Sequence, residues 1–463
     1  MDRRRFLESA MAGASALTAG SAGAQTAGFR TDESIGQVLR SRVAHEGKGL
    51  VAAVVQGDSV AWAGSGRRGV DDARAPDADT MFELGSLTKT FTALLLADMV
   101  VRRELTLDTP VQSVLPGGLA LRDSLGQPIT FGDLATQRSG LPRLPSNMRD
   151  PDGQDPYDYS RDDLLKFLAG WKPTRPRQQQ WEYSNLGFGL LGEALAWRAG
   201  TRYPALLSER VLGPLRLQGL RLALRDVTVP GLTPGHDPQG RPVPLWRFDA
   251  MAGAGALAGT ARDMARYAQA AMGVFEHPLE AAFALALTPR GDGPSATNPT
   301  ALAWLAGPLF QRRVFAHDGA TAGHSSSLFI DPASRRAAIV LANAQVGVSD
   351  IALHLMDPRV PLRDLAAEKR QTERPAIAVA ADAMAELAGT YALAATFKIT
   401  VRVREGRLFA QATGQGEFEL FAAEGRRWFA RVTPLEVQFE GERGAAPAFV
   451  LAQGGQRLRF VRE

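Results

Sequence analysis

An α/β fold followed by a small all-β module is the architecture the sequence predicts, on three observations. Strand-like apolar stretches occur early (Gly49 to Trp62) and late (Ser326 to Ile330 and Ala337 to Asn343), with helical patterns between them. A sheet that draws its strands from both ends of a domain produces that order. Beyond residue 383 the chain changes to short alternating runs separated by turns such as Glu405-Gly406 and Gly454-Gly455, the pattern of a small barrel or half-barrel. Finally, 463 residues suggest two or three structural units.

The elements follow in order. Met1-Asp2-Arg3-Arg4-Arg5-Phe6-Leu7 precedes a weakly apolar run from Ala10 to Ala24, which ends in Ala22-Gly23-Ala24. This resembles a twin-arginine export signal with a small-residue cleavage site. Residues 1–24 are therefore expected to be removed, with the twin-arginine export machinery as a partner. The mature protein is expected outside the cytoplasm, in the periplasm if the source is Gram-negative. Ser34 to Val43 reads as a helix, Gly49 to Trp62 as a buried strand, and Phe82 to Arg103 as a helix with Leu87, Phe91, Leu94, Leu95 and Met99 near helical spacing. Residues 142–181 are rich in Pro, Asp, Arg and Gln and read as a long loop with short helices. Helices are expected at Leu186 to Ala199, stopped by Gly200, and at Ala261 to Met272. Ser349 to Met356 closes the domain, which is assigned residues 25–361. Residues 362–383 are assigned as a linker and 384–463 as the β module, with strands starting at Lys398.

Composition removes several classes. The chain is 45% hydrophobic and 22% charged, and its Gly and Pro follow no period, so it is neither disordered nor fibrous. With 53 basic against 49 acidic residues, the net charge of +4 is too small to argue for nucleic acid. No uncharged, strongly apolar stretch reaches about 18 residues, so no permanent membrane span is expected. Cys is absent, which excludes disulfides, thiolate metal sites and a cysteine nucleophile. Nearly all basic residues are Arg: the six Lys are 48, 89, 166, 172, 369 and 398, and there are four Asn.

Three short patterns carry chemistry. Ser86-Leu87-Thr88-Lys89 places a hydroxyl and an amine at i and i+3, on one helix face. A desolvated Lys there loses its proton and serves as base toward Ser86. About 0.3 chance S-x-x-K matches are expected in this composition. Tyr183-Ser184-Asn185 enters a helix, and only about 0.05 chance Y-x-N matches are expected. Asn185 also reads as a helix cap at that point. His317-Asp318-Gly319 is weak alone, since His45-Glu46-Gly47 has the same form, but it follows the other two in order. His324 is a further group that could line the same cleft. Gly64 to Gly69 and Gly187 to Gly192 fit G-x-G-x-x-G, yet the first precedes a loop and the second follows no β-branched strand, so neither is a dinucleotide site. No His/Asp/Glu cluster has metal-ligand spacing; neither a metal nor another cofactor is expected.

Together these segments resemble the serine β-lactamases of class C and the related penicillin-binding D,D-peptidases, D-aminopeptidases and esterases. The resemblance runs over roughly residues 32–356. It includes Phe82 to Lys89, Leu105 to Val111, Ile129-Thr130 through Ser139-Gly140-Leu141-Pro142 (with Gln137 where His is usual), Tyr183 to Phe188, and Gly255 to Met264. The fold it implies is an antiparallel sheet flanked by helices with a helical subdomain, and the trailing module resembles the lipocalin-like C-terminal domains of that superfamily. The resemblance further implies Ser86 as nucleophile, Lys89 as its base partner and Tyr183 as proton shuttle to the leaving group. Asn185, His317, Asp318 and Gly319 would bind substrate, with the backbone N–H groups of Ser86 and Ala320 as oxyanion hole. The reaction would be acylation of Ser86 by a β-lactam, D-amino-acid peptide or small ester, then hydrolysis. The alternative is a non-catalytic sensor or scaffold. Asp318 stands where a hydroxyl residue is usual: facing the cleft it would oppose an anionic substrate, whereas strand alternation would turn it away.

Overall fold

The computed structural model describes residues 31–43, 48–148, 158–237, 239–295, 297–394, 397–412, 417–453 and 456–463. The expected export segment, 1–24, lies outside them. The chain divides after Leu362 into two compact units with separate cores.

In the first unit α1 (Asp32–Arg42) precedes a hairpin of β1 (Gly49–Gln56) and β2 (Ser59–Gly66). The sequence suggested one strand to Trp62; the Gly57-Asp58 turn divides it. Next come β3 (Met81–Glu83), a 3₁₀ turn (Gly85–Leu87) and α2 (Thr88–Val101). The helix expected from Phe82 thus begins later. Residues 81–83 are drawn into pairing with residues 258–260, and long-range pairing overrides a local helical pattern. α3 (Phe131–Ala135), α4 (Arg161–Gly170) and α5 (Asn185–Ala199) form the helical part, β4 (Leu257–Thr260) pairs with β3, and α6 (Ala261–Ala271) follows. Their starts are set by hydroxyl caps: Thr130 and Ser160 in capping boxes, Ser184 on Gly187 N–H and Thr260 on Asp263 N–H. Ser184, rather than Asn185, is therefore the cap of α5.

The remaining strands, β5 (Gly291–Ser295), β6 (Asn298–Thr300), β7 (Leu305–Leu309), β8 (Arg312–Ala320), β9 (Ser325–Asp331) and β10 (Arg336–Ala342), precede α7 (Ser349–Met356). The main sheet has the order β2-β1-β10-β9-β8-β7-β6-β5, so β1 from the start of the unit pairs with β10 near its end. Both faces are covered. Leu50, Ala52 and Val54 join a core with Ile351 and Leu355 of α7, while Val51, Ala53 and Val55 join the larger core with α2, α5 and α6. A strand buried on both sides reads as a continuous apolar run, which is how β1 reads.

The second unit is a closed barrel of eight strands, β11 (Gly389–Ala394), β12 (Phe397–Arg404), β13 (Arg407–Ala412), β14 (Phe418–Ala422), β15 (Arg427–Ala430), β16 (Leu435–Phe439), β17 (Ala448–Gln453) and β18 (Gln456–Arg462). Tyr391, Phe439, Phe449 and Phe460 pack ring on ring inside it. The expected linker is corrected: α8 (Leu365–Glu373) lies in it, α9 (Ala381–Ala385) begins in it, and from Arg363 onward its residues belong to the barrel unit. Gln371 Nε2 donates to Ala430 O and Ile377 N–H to Ala422 O, so this segment is pinned along β14 and β15.

Candidate active site

Ser86 sits in the 3₁₀ turn that links β3 to α2, and Lys89 lies in the first turn of α2. Lys89 is fully buried, with Nζ 3.0 Å from Ser86 Oγ and 2.6 Å from Ala254 O. Burial, helped by the positive charge of Arg143, holds the amine well below its ordinary range. The carbonyl that receives Lys89 comes from 165 residues away. That segment reaches it because α5 carries Gly189: a Cβ there would come within 3.0 Å of Ala250 O. The glycines that mimicked a dinucleotide motif thus allow close packing.

The Tyr183 ring lies beneath Lys89 Nζ, 4.9 Å from its centroid, and 6.3 Å from the His317 ring. Gln137 brackets Tyr183: its backbone O accepts Glu182 N–H at 2.8 Å, and its Oε1 accepts Ser184 N–H at 2.7 Å. Gln137 itself has φ +59°, a left-handed conformation that a non-glycine residue holds only when surroundings fix it. Asn185 is buried as the first residue of α5, and its N–H donates to Arg143 O at 3.0 Å.

His317 and Gly319 lie on β8 toward this cleft. Val314 and Ala316 of that strand face the α7 core and Phe315 faces the α2 core, so His317 shares the α2 side and Asp318 does not. The expectation of Asp318 as a substrate-binding residue is corrected: Ser327 Oγ donates to its Oδ1 at 2.6 Å, and Ser349 of α7 is a second hydrogen-bond partner. Burial raises its pKa. His317 Nδ1 lies 2.7 Å from Asp318 O, which only accepts, so the ring proton sits on Nδ1 and Nε2 keeps its lone pair. Burial, with the Lys89 amine beside it, pushes His317 down to about 3.

Gly319 is where β8 presses on the turn that holds Ser86. A Cβ there would lie 2.1 Å from Leu84 O, 2.3 Å from Ser326 Oγ and 3.1 Å from Ser86 N. A Cβ on Gly85 (φ +51°) would lie 2.9 Å from Ala320 N. The Ser86 and Ala320 amides are therefore brought to the same edge of the cleft.

His324 does not join Ser86. It is buried with Nδ1 3.0 Å from Glu83 Oε2 and Nε2 3.2 Å from Thr233 Oγ1. Glu83 also accepts from Thr321 Oγ1 (2.6 Å) and Trp246 N–H (2.7 Å). This anchor, three residues before Ser86, ties β3 to the chain just after β8. Sequence reasoning did not single out Glu83, Ala254 or Arg143; the signal for Arg143 was its place directly after Ser139 to Pro142. Among the described residues no group of three or more His, Asp or Glu is arranged to hold a metal ion, and no helix is long and apolar enough to cross a membrane.

The family model "Beta-lactamase" matches residues 35–356. The chain belongs to the beta-lactamase family. A second model, a domain of unknown function (DUF3471), matches residues 373–462. This beta-lactamase family member is 28% identical over 239 residues to the beta-lactamase of Pseudomonas fluorescens, covering 51% of this chain and 63% of the relative. It is 29% identical over 174 residues to the D-alanyl-D-alanine-carboxypeptidase/endopeptidase AmpH of Escherichia coli K12, covering 37% and 44%. The chain thus spans less than two thirds of either relative's length. The solved octameric penicillin-binding protein homologue from Pyrococcus abyssi superposes with a TM-score of 0.62 over 92% of this chain and 98% of that one, at 20% identity. That likeness is one of fold.

Proposed function

We propose that the protein is an exported serine hydrolase that works through a Ser86 acyl-enzyme on an amide or ester. The observation that carries this reading is the buried Lys89 amine 3.0 Å from Ser86 Oγ. In its neutral form the amine keeps one N–H on Ala254 O and offers its lone pair to the Ser86 hydroxyl. Ser86 Oγ attacks the substrate carbonyl carbon, its proton passes to Lys89, and the carbonyl oxygen takes the negative charge between the Ser86 and Ala320 amides. Collapse expels the leaving group, which receives its proton through Tyr183, and water then hydrolyses the ester on Ser86. The Arg pair and small-residue site in the first 24 residues support the export part.

Turnover of nitrocefin, p-nitrophenyl butyrate and a D-alanyl p-nitroanilide by wild type and Ser86→Ala tests the reading. Hydrolysis of at least one compound, lost in Ser86→Ala, is expected. Turnover that survives Ser86→Ala contradicts it, and stable acylation without turnover points to a sensor instead.

A further inference from the structure

With Asp318 turned toward α7 and His317 neutral, the third motif presents no charge to a substrate. A cation is nevertheless present beside the Tyr183 ring. The Arg143 guanidinium carbon lies 5.2 Å from the centroid of the Tyr183 ring, the same ring that faces Lys89 Nζ. The side chain is half-buried, and no carboxylate among the described residues forms an ion pair with it. Its position is set by the main chain: Arg143 O accepts both Asn185 N–H (3.0 Å) and Leu186 N–H (3.2 Å), which fastens it to the Tyr183-Ser184-Asn185 turn.

We propose that Arg143 is a specificity-determining residue that receives a carboxylate carried on the leaving-group side of the substrate. The proposal rests on the Ser86 acyl-enzyme reading. A guanidinium presents a rigid fork of donors that matches a carboxylate with two parallel hydrogen bonds and is less strongly hydrated than an ammonium, so it suits a half-buried site. The placement beside Tyr183, which serves the leaving group in that reading, selects the side of the substrate. With Asp318 bonded to Ser327 and Ser349, no carboxylate of the third motif opposes an anionic substrate there. Among the described residues, the titratable and charged groups that face Lys89 are Tyr183, His317 and Arg143. Arg143 therefore has a second effect, since its charge opposes protonation of the Lys89 amine.

The test compares two butyrate esters of matched chromogenic leaving groups: 4-nitrophenol, and 5-hydroxy-2-nitrobenzoate, which adds a carboxylate. Wild type, Arg143→Gln and Arg143→Lys are assayed across pH. The ratio of kcat/KM for the carboxylate ester over the neutral ester is expected to fall by about 10-fold to 100-fold in Arg143→Gln, mainly through KM, the scale of a hydrogen bond to a charged group. Arg143→Lys restores part of the ratio. The acid limb of kcat/KM moves to higher pH in Arg143→Gln for both esters, because Lys89 loses a repelling neighbour; a merely structural role would leave it in place. An unchanged ratio in Arg143→Gln, with Ser86 still labelled by a small neutral fluorophosphonate, overturns the Arg143 assignment and leaves the hydrolase reading standing. Absence of both ester turnover and a Ser86 adduct in wild type overturns the two together.

Discussion

Lys89 is the residue whose chemistry and energetics oppose each other. Full burial favours its neutral form, so the unfolded chain holds a proton on Lys89 over a pH range where the folded chain does not. Stability therefore rises with pH between the lowered folded value and the ordinary Lys value of about 10.4, and it falls as pH drops through that window. Lys89→Met is expected to lower kcat by at least about 100-fold, the scale of a lost general base. It is also expected to stabilise the fold at pH 7 and flatten the rise in stability from pH 7 to 10. Urea denaturation at several pH values checks this; a Lys89→Met variant that is less stable than wild type at pH 7 contradicts it. Burial pushes His317 down to about 3, so on the Ser86 acyl-enzyme reading the acid limb of activity is expected to follow Lys89 rather than His317. That Ser86, Lys89 and Tyr183 come together was legible because the i, i+3 spacing is local and Lys and Asn are scarce. Arg143 was hidden among the many arginines, and Ala254 contributes only a backbone carbonyl, which no side-chain pattern reveals.

At the scale of elements, the site depends on β8 lying flush against the turn that holds Ser86. Gly319 makes that approach possible, and Glu83 locks it through Thr321, Trp246 and His324. Gly319→Ala places a Cβ against Leu84 O and must push β8 away from the Ser86 amide. We expect an acylation rate lower by at least about 100-fold, comparable to loss of an oxyanion donor, measured by single-turnover kinetics. A Gly319→Ala variant that acylates at the wild-type rate contradicts this geometry. The orientation of Asp318 was not legible because β8 is covered on both faces, leaving no exposed polar side to set the alternation. β11 was missed for a related reason: its Leu393 is 41% exposed while Tyr391 points inward, so the apolar pattern is broken.

For the whole molecule, the two cores assign stability to two units. Phe449 is at the centre of the barrel rings, and Phe449→Ala is expected to cost the barrel about 3–5 kcal/mol. Scanning calorimetry should show one transition lowered and the other unmoved, and a uniform shift of the whole melt contradicts the division. The two-unit plan was readable in the sequence from the change to short alternating strands. The boundary was not, because α8, α9 and the chain around them look like a charged spacer until β14 and β15 supply partners for Gln371 and Ile377.

The most direct test of the central claim is intact-mass analysis with peptide mapping after exposure to an activated fluorophosphonate. The account predicts one adduct per chain, on Ser86, formed faster as pH rises through the lowered Lys89 value and absent from Ser86→Ala. An adduct on another residue, or equal labelling of wild type and Ser86→Ala, would contradict it.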